Sequence, residues 1–327
     1  MNIINLCGLL NADLLNKPKI SAINSFCFDL KDCKDQCAFI CINSSDDDII
    51  VAIERGAYAI ICEHDTMVQN DEIAIMKVSS LKTALTRLIR FVACYKKLKF
   101  AILNTIQYAA ICKFSLDKKA KMLKSDFKNR FLDIMNANDE DLFFSDDEKL
   151  LQKTTAFYDT VFSDDDAQNI TENSIFYLSF VCDDVYYQNI IYPKVFLRHL
   201  TGLIKYLNKL EVSFKLPKDL GIEGHFDPIF VDKFYNIKSF GDSYRAFIVE
   251  NDLSLFEIEA NFLRSKFSDN IVICASYNLQ TNIQIDFRFT SLNALQNLNN
   301  FHYALVFCEK NELIDSLNQK KYQEALF

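Results

Sequence analysis

Apolar positions recur along this chain in two rhythms, short continuous runs and spacings of three and four, and their alternation predicts an α/β protein. Residues 2–10 have the apolar spacing of a short helix, and a connection containing Pro18 follows. Residues 26–30 and 37–42 read as strands on either side of the polar segment 31–36. The pattern then predicts a helix over 49–55, closed by Gly56, which tolerates the left-handed conformation of a helix end. Strands follow over 57–62 and 73–78, and Leu81, Leu85, Leu88, Ile89 and Val92 set out one face of a helix over 81–95.

The run at 98–103 has the length of a buried strand, and Thr105 is placed to cap a helix over 105–122 directly after it. Further on, 154–162 and 174–180 read as strands and 195–210 as an amphipathic helix. Strands over 245–249, 270–275 and 303–308, with a helix over 253–264, predict a second sheet of parallel type.

With 327 residues, 50% of them apolar and 13% aromatic, the chain can fill several cores. A net charge of −8 argues against a nucleic-acid or anionic-membrane surface. No apolar stretch approaches the length needed to span a bilayer and the first residues lack a basic start, so the expectation is a cytoplasmic protein. The 11 cysteines then read as reduced, small apolar core residues. Cys33, Cys37 and Cys41 are the only cluster; their spacing of four matches no metal knuckle, and a strand from Cys37 keeps them apart, so no metal site is expected.

Other features take structural readings. His64, His199, His225 and His302 are isolated from one another in sequence. Asp46-Asp47-Asp48 and Asp164-Asp165-Asp166 read as solvated loops, because consecutive acids do not converge on a cation. Glu63-His64-Asp65 reads as a surface turn, and Tyr186, Tyr187 and Tyr192 as the cover of a sheet face. Lys113, Lys118, Lys119 and Lys121 read as a charged helix face.

The junction at 103–105 is where a nucleotide-using α/β protein carries a glycine-rich loop, a lysine and a hydroxyl residue for phosphate and Mg²⁺. Here it reads Asn104-Thr105-Ile106-Gln107-Tyr108-Ala109, without glycine, lysine or a hydroxyl in the metal position.

The segment from Phe28 to Cys41, opening Phe28-Asp29-Leu30-Lys31, resembles the Asp-Ser-Arg … Pro-Gly-x-Leu-Phe-Val-Ala segment of Mur ligases, the ATP-dependent enzymes that build the peptidoglycan peptide. Ala52-Ile53-Glu54-Arg55-Gly56-Ala57-Tyr58-Ala59 is similar to the family's Ala-x-x-x-Gly-Ala-x-Ala stretch. In the family's nucleotide loop, Ala101, Asn104 and Gln107 would stand for three glycines, Tyr108 for the lysine, and Ala109 and Ala110 for the hydroxyl residues. The long section with a metal-binding glutamate and a modified lysine has almost no counterpart. Gly224-His225 stands near a Gly-Arg pair that begins the link to the third domain, and Glu250-Asn251-Asp252 where the family's Asp-Asp-x-Tyr-Asn-x-Asn-Pro motif would begin. The later part is most similar to the branch that adds D-alanyl-D-alanine.

The resemblance implies a three-domain α/β architecture: an N-terminal domain over 1–97, a shortened central domain over 98–243 and a small C-terminal α/β domain over 244–327. It implies a vestigial substrate segment at Asp29, Leu30 and Lys31, and a degenerate nucleotide loop at Asn104, Thr105, Gln107, Tyr108 and Ala109. No catalytic residue, metal ligand or cofactor carries over; ATP and Mg would enter only for an active ligase. The partners implied are peptidoglycan-synthesis proteins or a UDP-MurNAc-peptide, with no nucleic acid. Three readings follow, ranked in order: a non-catalytic Mur-ligase-like binding or scaffolding protein, an ATP-dependent UDP-MurNAc-peptide ligase with an unorthodox nucleotide site, and a purely structural interaction module.

Overall fold

The computed structural model describes residues 1–43, 45–68, 70–267 and 269–324. The chain is α/β, with parallel and mixed sheets, and packs as two compact units. The first comprises residues 1–104 and 116–161, the second residues 105–115 and 162–327.

The first unit holds two sheets. Strands Ser25–Cys27, Cys37–Ile40, Ala57–Cys62 and Ala74–Lys77 are parallel neighbours, and Asp13–Leu14 adds an antiparallel edge. Cys37–Ile40 is buried at all four positions because both faces of this sheet are covered, which is why its sequence is continuously apolar. Ala38, Ile40, Ala59 and Ile61 face one apolar layer, where they meet Leu85, Leu88 and Phe131. Cys37, Phe39, Ile60 and Cys62 face another, against Ile49 and Ala52. The second sheet is wholly parallel, in the order Asp159–Thr160, Lys99–Ile102, Leu142–Ser145, Ala120–Met122. Phe100 and Phe143 from it belong to the same core as Ile3, Leu6 and Leu88.

The helix Leu81–Tyr95 follows its apolar spacing, and Ser80 caps it by accepting from Thr83 N–H. Asp46, Asp47 and Asp48 form the first turn of the helix Asp46–Glu54, not a loop. Ser45 and Asp48 make a reciprocal capping box, and three carboxylates suit the positive end of the helix dipole.

In the second unit, Gln168–Ser174, Tyr177–Cys182 and Val185–Ile191 form an antiparallel meander. The amphipathic helix Leu197–Lys209 buries Leu200, Leu203, Ile204 and Leu207. Gly202 lets it pass close to residues 162–163: a Cβ there would lie 2.0 Å from the Phe162 carbonyl oxygen. A five-stranded sheet follows in the order Asp227–Val231, Arg245–Glu250, Tyr303–Phe307, Ile271–Ser276, Phe287–Phe289, parallel except for its first pair. Helices Leu253–Lys266 and Lys310–Glu324 accompany it.

Other expectations from the sequence change too, and the strand expected over 26–30 ends at Cys27, before the 3₁₀ turn Leu30–Asp32. The helix expected over 105–122 spans only Thr105–Ile111. Its apolar rhythm breaks at the polar residues that follow, Phe114 turns inward to stack on Phe214 at 5.7 Å, and Asp117 closes a turn by accepting from Lys119 N–H at 2.9 Å. Lys118, Lys119 and Lys121 therefore lie on a turn and the strand Ala120–Met122, not on a helix face, and Lys121 pairs with Asp141 at 2.7 Å. The strand expected over 154–162 shrinks to Asp159–Thr160, because Thr154 ends the helix Glu148–Thr154.

Candidate functional site

The connection between strands Ser25–Cys27 and Cys37–Ile40 carries Asp29, Leu30 and Lys31. Leu30 opens a single 3₁₀ turn, Leu30–Asp32, and its side chain packs against the apolar layer beneath. Its carbonyl oxygen accepts from Arg55 Nη1 at 2.7 Å and from Cys33 N–H at 3.1 Å. Asp29 and Lys31 are exposed, and the Asp29 carboxylate lies 3.7 Å from Lys128 Nζ. The middle residue thus faces inward and the two charged ones outward.

The strand Lys99–Ile102 belongs to the first unit, of which Asn104 is a terminal residue; Thr105 begins the second unit. Within the helix Thr105–Ile111, Gln107 and Ala110 are fully buried and Tyr108 and Ala109 half-buried, and the helix packs on Leu197–Lys209. A phosphate cradle needs open backbone N–H groups and a cationic side chain at this turn. Asn104, Thr105, Gln107, Tyr108 and Ala109 all carry side chains here, and none is cationic. Lys113, at the other end of the helix, donates to the Gly221 carbonyl oxygen.

The second unit contains a cavity of about 500 Å³. Phe176, Phe226, Phe230 and Phe240 form its apolar wall, with Phe176 and Phe226 centroids 5.5 Å apart and Phe230 and Phe240 5.2 Å apart. Lys238 and Lys310 also line it, each tied to a carboxylate: Lys238 to Asp232 at 3.1 Å and Lys310 to Asp227 at 2.8 Å. Asp219, Glu223 and Asp227 line it as well, so the cavity pairs an apolar wall of phenylalanines with polar groups of both charge signs.

The histidines and acids, read as separate in the sequence, are partly joined. His225 Nδ1 lies 2.7 Å from Glu250 Oε1, which also accepts from the backbone N–H groups of Asn251 at 2.9 Å and Asp252 at 2.7 Å. That bond raises the His225 pKa by stabilising imidazolium. Glu259 faces the same carboxylate from the helix Leu253–Lys266 and is fully buried, and burial raises its pKa well above the ordinary value. Both Glu259 oxygens and Glu250 Oε2 lack a donor at hydrogen-bond geometry among the described residues. A proton on Glu259 supplies the donor that Glu250 Oε2 lacks. Sequence reasoning missed this group; the available signal was an acid at 259 on the stripe otherwise formed by Phe256, Ala260 and Leu263.

The remaining features are structural. Glu63 accepts from Leu81 N–H at the start of its helix, and Asp65 pairs with Lys77 at 2.7 Å. Asp164 and Asp166 both engage Lys205. Tyr187 stacks on Phe180 at 5.1 Å, and Tyr192 is buried. Cys33 and Cys37 are joined by Cys27, not by Cys41.

No protein-family model matches the chain, and no curated protein matches it in sequence. Solved structures to which it is similar include Mur ligases. MurF from Acinetobacter baumannii is similar over 98% of this chain and 98% of its own, at 9% identity and a TM-score of 0.48. MurF ligase from Thermotoga maritima, solved in complex with ADP, is similar over 92% of this chain and 98% of its own, at 10% identity and a TM-score of 0.49. The UDP-N-acetylmuramate-alanine ligase MurC from Thermotoga maritima matches over 89% and 94%, at 10% identity and a TM-score of 0.35. No helix among the described residues is long and apolar enough to cross a membrane.

Proposed function

We propose that this chain is a non-catalytic, cytoplasmic Mur-ligase-like protein that acts by binding, as a partner or scaffold in peptidoglycan precursor synthesis. The observation that carries this reading is the turn at Asn104–Ala109, where the resemblance places a nucleotide loop. Gln107 is buried, Tyr108 is half-buried, and no lysine, glycine or metal-facing hydroxyl stands there. Phosphoryl transfer depends on positioning and on neutralising charge, so losing cradle, lysine and metal ligand together removes the means of catalysis. The cavity walled by phenylalanines supports a protein that holds a ligand or partner.

The segment Asp29-Leu30-Lys31 supports weak or no binding of a UDP-MurNAc-peptide. Leu30 offers no hydroxyl, and Lys31 replaces the planar two-pronged guanidinium of an arginine with a point charge. Two lost hydrogen bonds to charged groups, at roughly 1.5–3 kcal/mol each, weaken binding by a few powers of ten. On this reading the N-terminal part serves as a docking surface.

Isothermal titration of the purified chain with Mg-ATP and, separately, with a UDP-MurNAc-peptide tests the reading. The expected result is no ATP binding or hydrolysis, and no ligase activity after Gln107→Gly, Tyr108→Lys and Ala109→Thr are combined. ATP-dependent ligation by the unmodified chain would overturn it in favour of a working ligase.

A further inference from the structure

Three thiols converge in the first unit. Cys27 ends the strand Ser25–Cys27, Cys33 follows the 3₁₀ turn Leu30–Asp32, and Cys37 begins the strand Cys37–Ile40. The two strands are parallel, with Ser25 beside Cys37 and Cys27 beside Phe39, so Cys27 and Cys37 point to the same face of the sheet. The connection over 28–36 crosses that face and brings Cys33 onto it. Cys27 Sγ lies 3.2 Å from Cys33 Sγ and 3.4 Å from Cys37 Sγ, and all three sulfurs fall within 4.8 Å of one another. Among the described residues this is the only group of three or more histidine, cysteine or acidic side chains whose donor atoms come together so closely.

We infer that Cys27, Cys33 and Cys37 form a three-thiolate site for a thiophilic closed-shell cation, Zn(II) or Cu(I). A Zn–S bond of about 2.3 Å places tetrahedral sulfurs about 3.8 Å apart and trigonal ones about 4.0 Å apart, so Cys33 and Cys37 each need to draw back from Cys27 by roughly half an ångström, a side-chain adjustment within the 4.8 Å that encloses all three sulfurs. A disulfide would draw two sulfurs to about 2.05 Å and strand the third, whereas Cys27 stands almost equally near both partners. The donor set is sulfur only, which favours soft cations over Mg²⁺, Ca²⁺ or Mn²⁺. Cu(I) is satisfied by three sulfurs; Zn(II) takes a solvent molecule in the fourth position, on the side of the half-buried Cys33.

Arg55 Nη1 donates to the Leu30 carbonyl oxygen at 2.7 Å, which sets a positive charge beside the connection that carries Cys33. On binding, each thiol still protonated releases its proton to solvent as its sulfur–metal bond forms, and no electron is transferred. The cation would clamp the connection that carries Asp29, Leu30 and Lys31 to the two strands it joins. Nothing in this inference depends on the absence of catalysis, so the two stand or fall separately.

The test uses the full chain, reduced and stripped of metal under anaerobic conditions, titrated with Zn(II) and with Cu(I) against a chromophoric chelator. Co(II) serves as a spectroscopic stand-in for Zn(II). The expected result is one equivalent bound more tightly than micromolar, with thiolate-to-Co(II) charge-transfer absorption and release of protons. Binding should be lost in Cys33→Ser and in Cys37→Ser, and kept in Cys41→Ser and Cys94→Ser, with circular dichroism confirming the fold. Cys33 is only half-buried, so Cys33→Ser decides the matter where a buried variant fails to fold. Preference for Cu(I) assigns the trigonal form and preference for Zn(II) the solvent-completed one. Absence of tight binding by either ion, binding unchanged by Cys33→Ser, or a Cys27 disulfide in the isolated protein with no metal uptake after reduction overturns the inference.

Discussion

Replacing Glu259 by glutamine keeps the size and hydrogen-bonding reach of the side chain while removing its ability to ionise. Glu259 is fully buried, and its pKa is raised first by burial and then by the Glu250 carboxyl and the charge of Asp252. A raised carboxyl pKa means that the folded chain holds a proton the unfolded chain gives up above pH 4.5. Its stability contribution is therefore fully present below pH 4.5 and is lost as pH rises toward the folded pKa. The loss has a ceiling of about 1.36 kcal/mol per pH unit, so by pH 7 it reaches at most about 3.4 kcal/mol. Glu259→Gln should stabilise the second unit by up to that amount at neutral pH, with little effect near pH 4.5. His225, raised by Glu250, adds a loss of the same sign above its ordinary 6.5, but it is present in both proteins and cancels in the difference. Urea unfolding followed by circular dichroism across the pH range from 5 to 8 reads the effect in the transition of the second unit. A gain identical at both ends of that range, or a variant that loses ground as pH rises, refutes the reasoning.

Three further outcomes are expected. Phe131 is fully buried and meets Phe26 and Phe28 edge-on at 5.3 and 5.5 Å, so Phe131→Ala should cost the first unit about 3–5 kcal/mol in urea unfolding, and a loss well below that range counts against this core. Gly202→Ala should destabilise the second unit although alanine ordinarily gains about 1 kcal/mol over glycine in a helix, because its Cβ would meet the Phe162 carbonyl oxygen; a raised melting temperature contradicts the packing. Burial lowers the His199 pKa to about 4, with Ser163 Oγ 2.6 Å from Nδ1, so its ring signals in proton NMR should titrate near pH 4 and stability should fall as pH drops below 6.5; titration near 6.5 contradicts this.

Elements whose cause is local were legible in the sequence. The helix Leu81–Tyr95 and the strands Ala57–Cys62 and Arg245–Glu250 lie within a residue or two of their expected bounds, because apolar spacing marks each and Ser80 caps the helix. The helix Thr105–Ile111 is shorter than the expected 105–122, because the stack of Phe114 on Phe214 and the turn at Asp117, neither of which a spacing reveals, end it. Features made by convergence were not legible. His225, Glu250 and Glu259 come together across a sheet and a helix, and no spacing announces that. For the cysteines, the even spacing of 33, 37 and 41 pointed the wrong way: four residues of extended chain separate Cys37 and Cys41 by roughly 13 Å. Parallel pairing instead sets Cys27 diagonally beside Cys37.

The connection over 28–36 is held by its own packing and hydrogen bonds. A loop that meets a phosphate needs an outward hydroxyl or cation and backbone groups free to bond the ligand. Here Leu30 faces the apolar layer, and its carbonyl is occupied by Arg55 and Cys33. At the far end Gly56, at φ +95°, admits Asp35, whose Oδ1 would lie 2.2 Å from any Cβ at that position. Gln36 N–H then donates to the Gly56 carbonyl at 2.9 Å. The connection is thus held at three places along its length: by Leu30 and Arg55, by the thiol of Cys33, and by the close approach at Gly56. Leu30 supplies the apolar contact that seats the turn, and seating the turn is what carries Cys33 over Cys27 and Cys37.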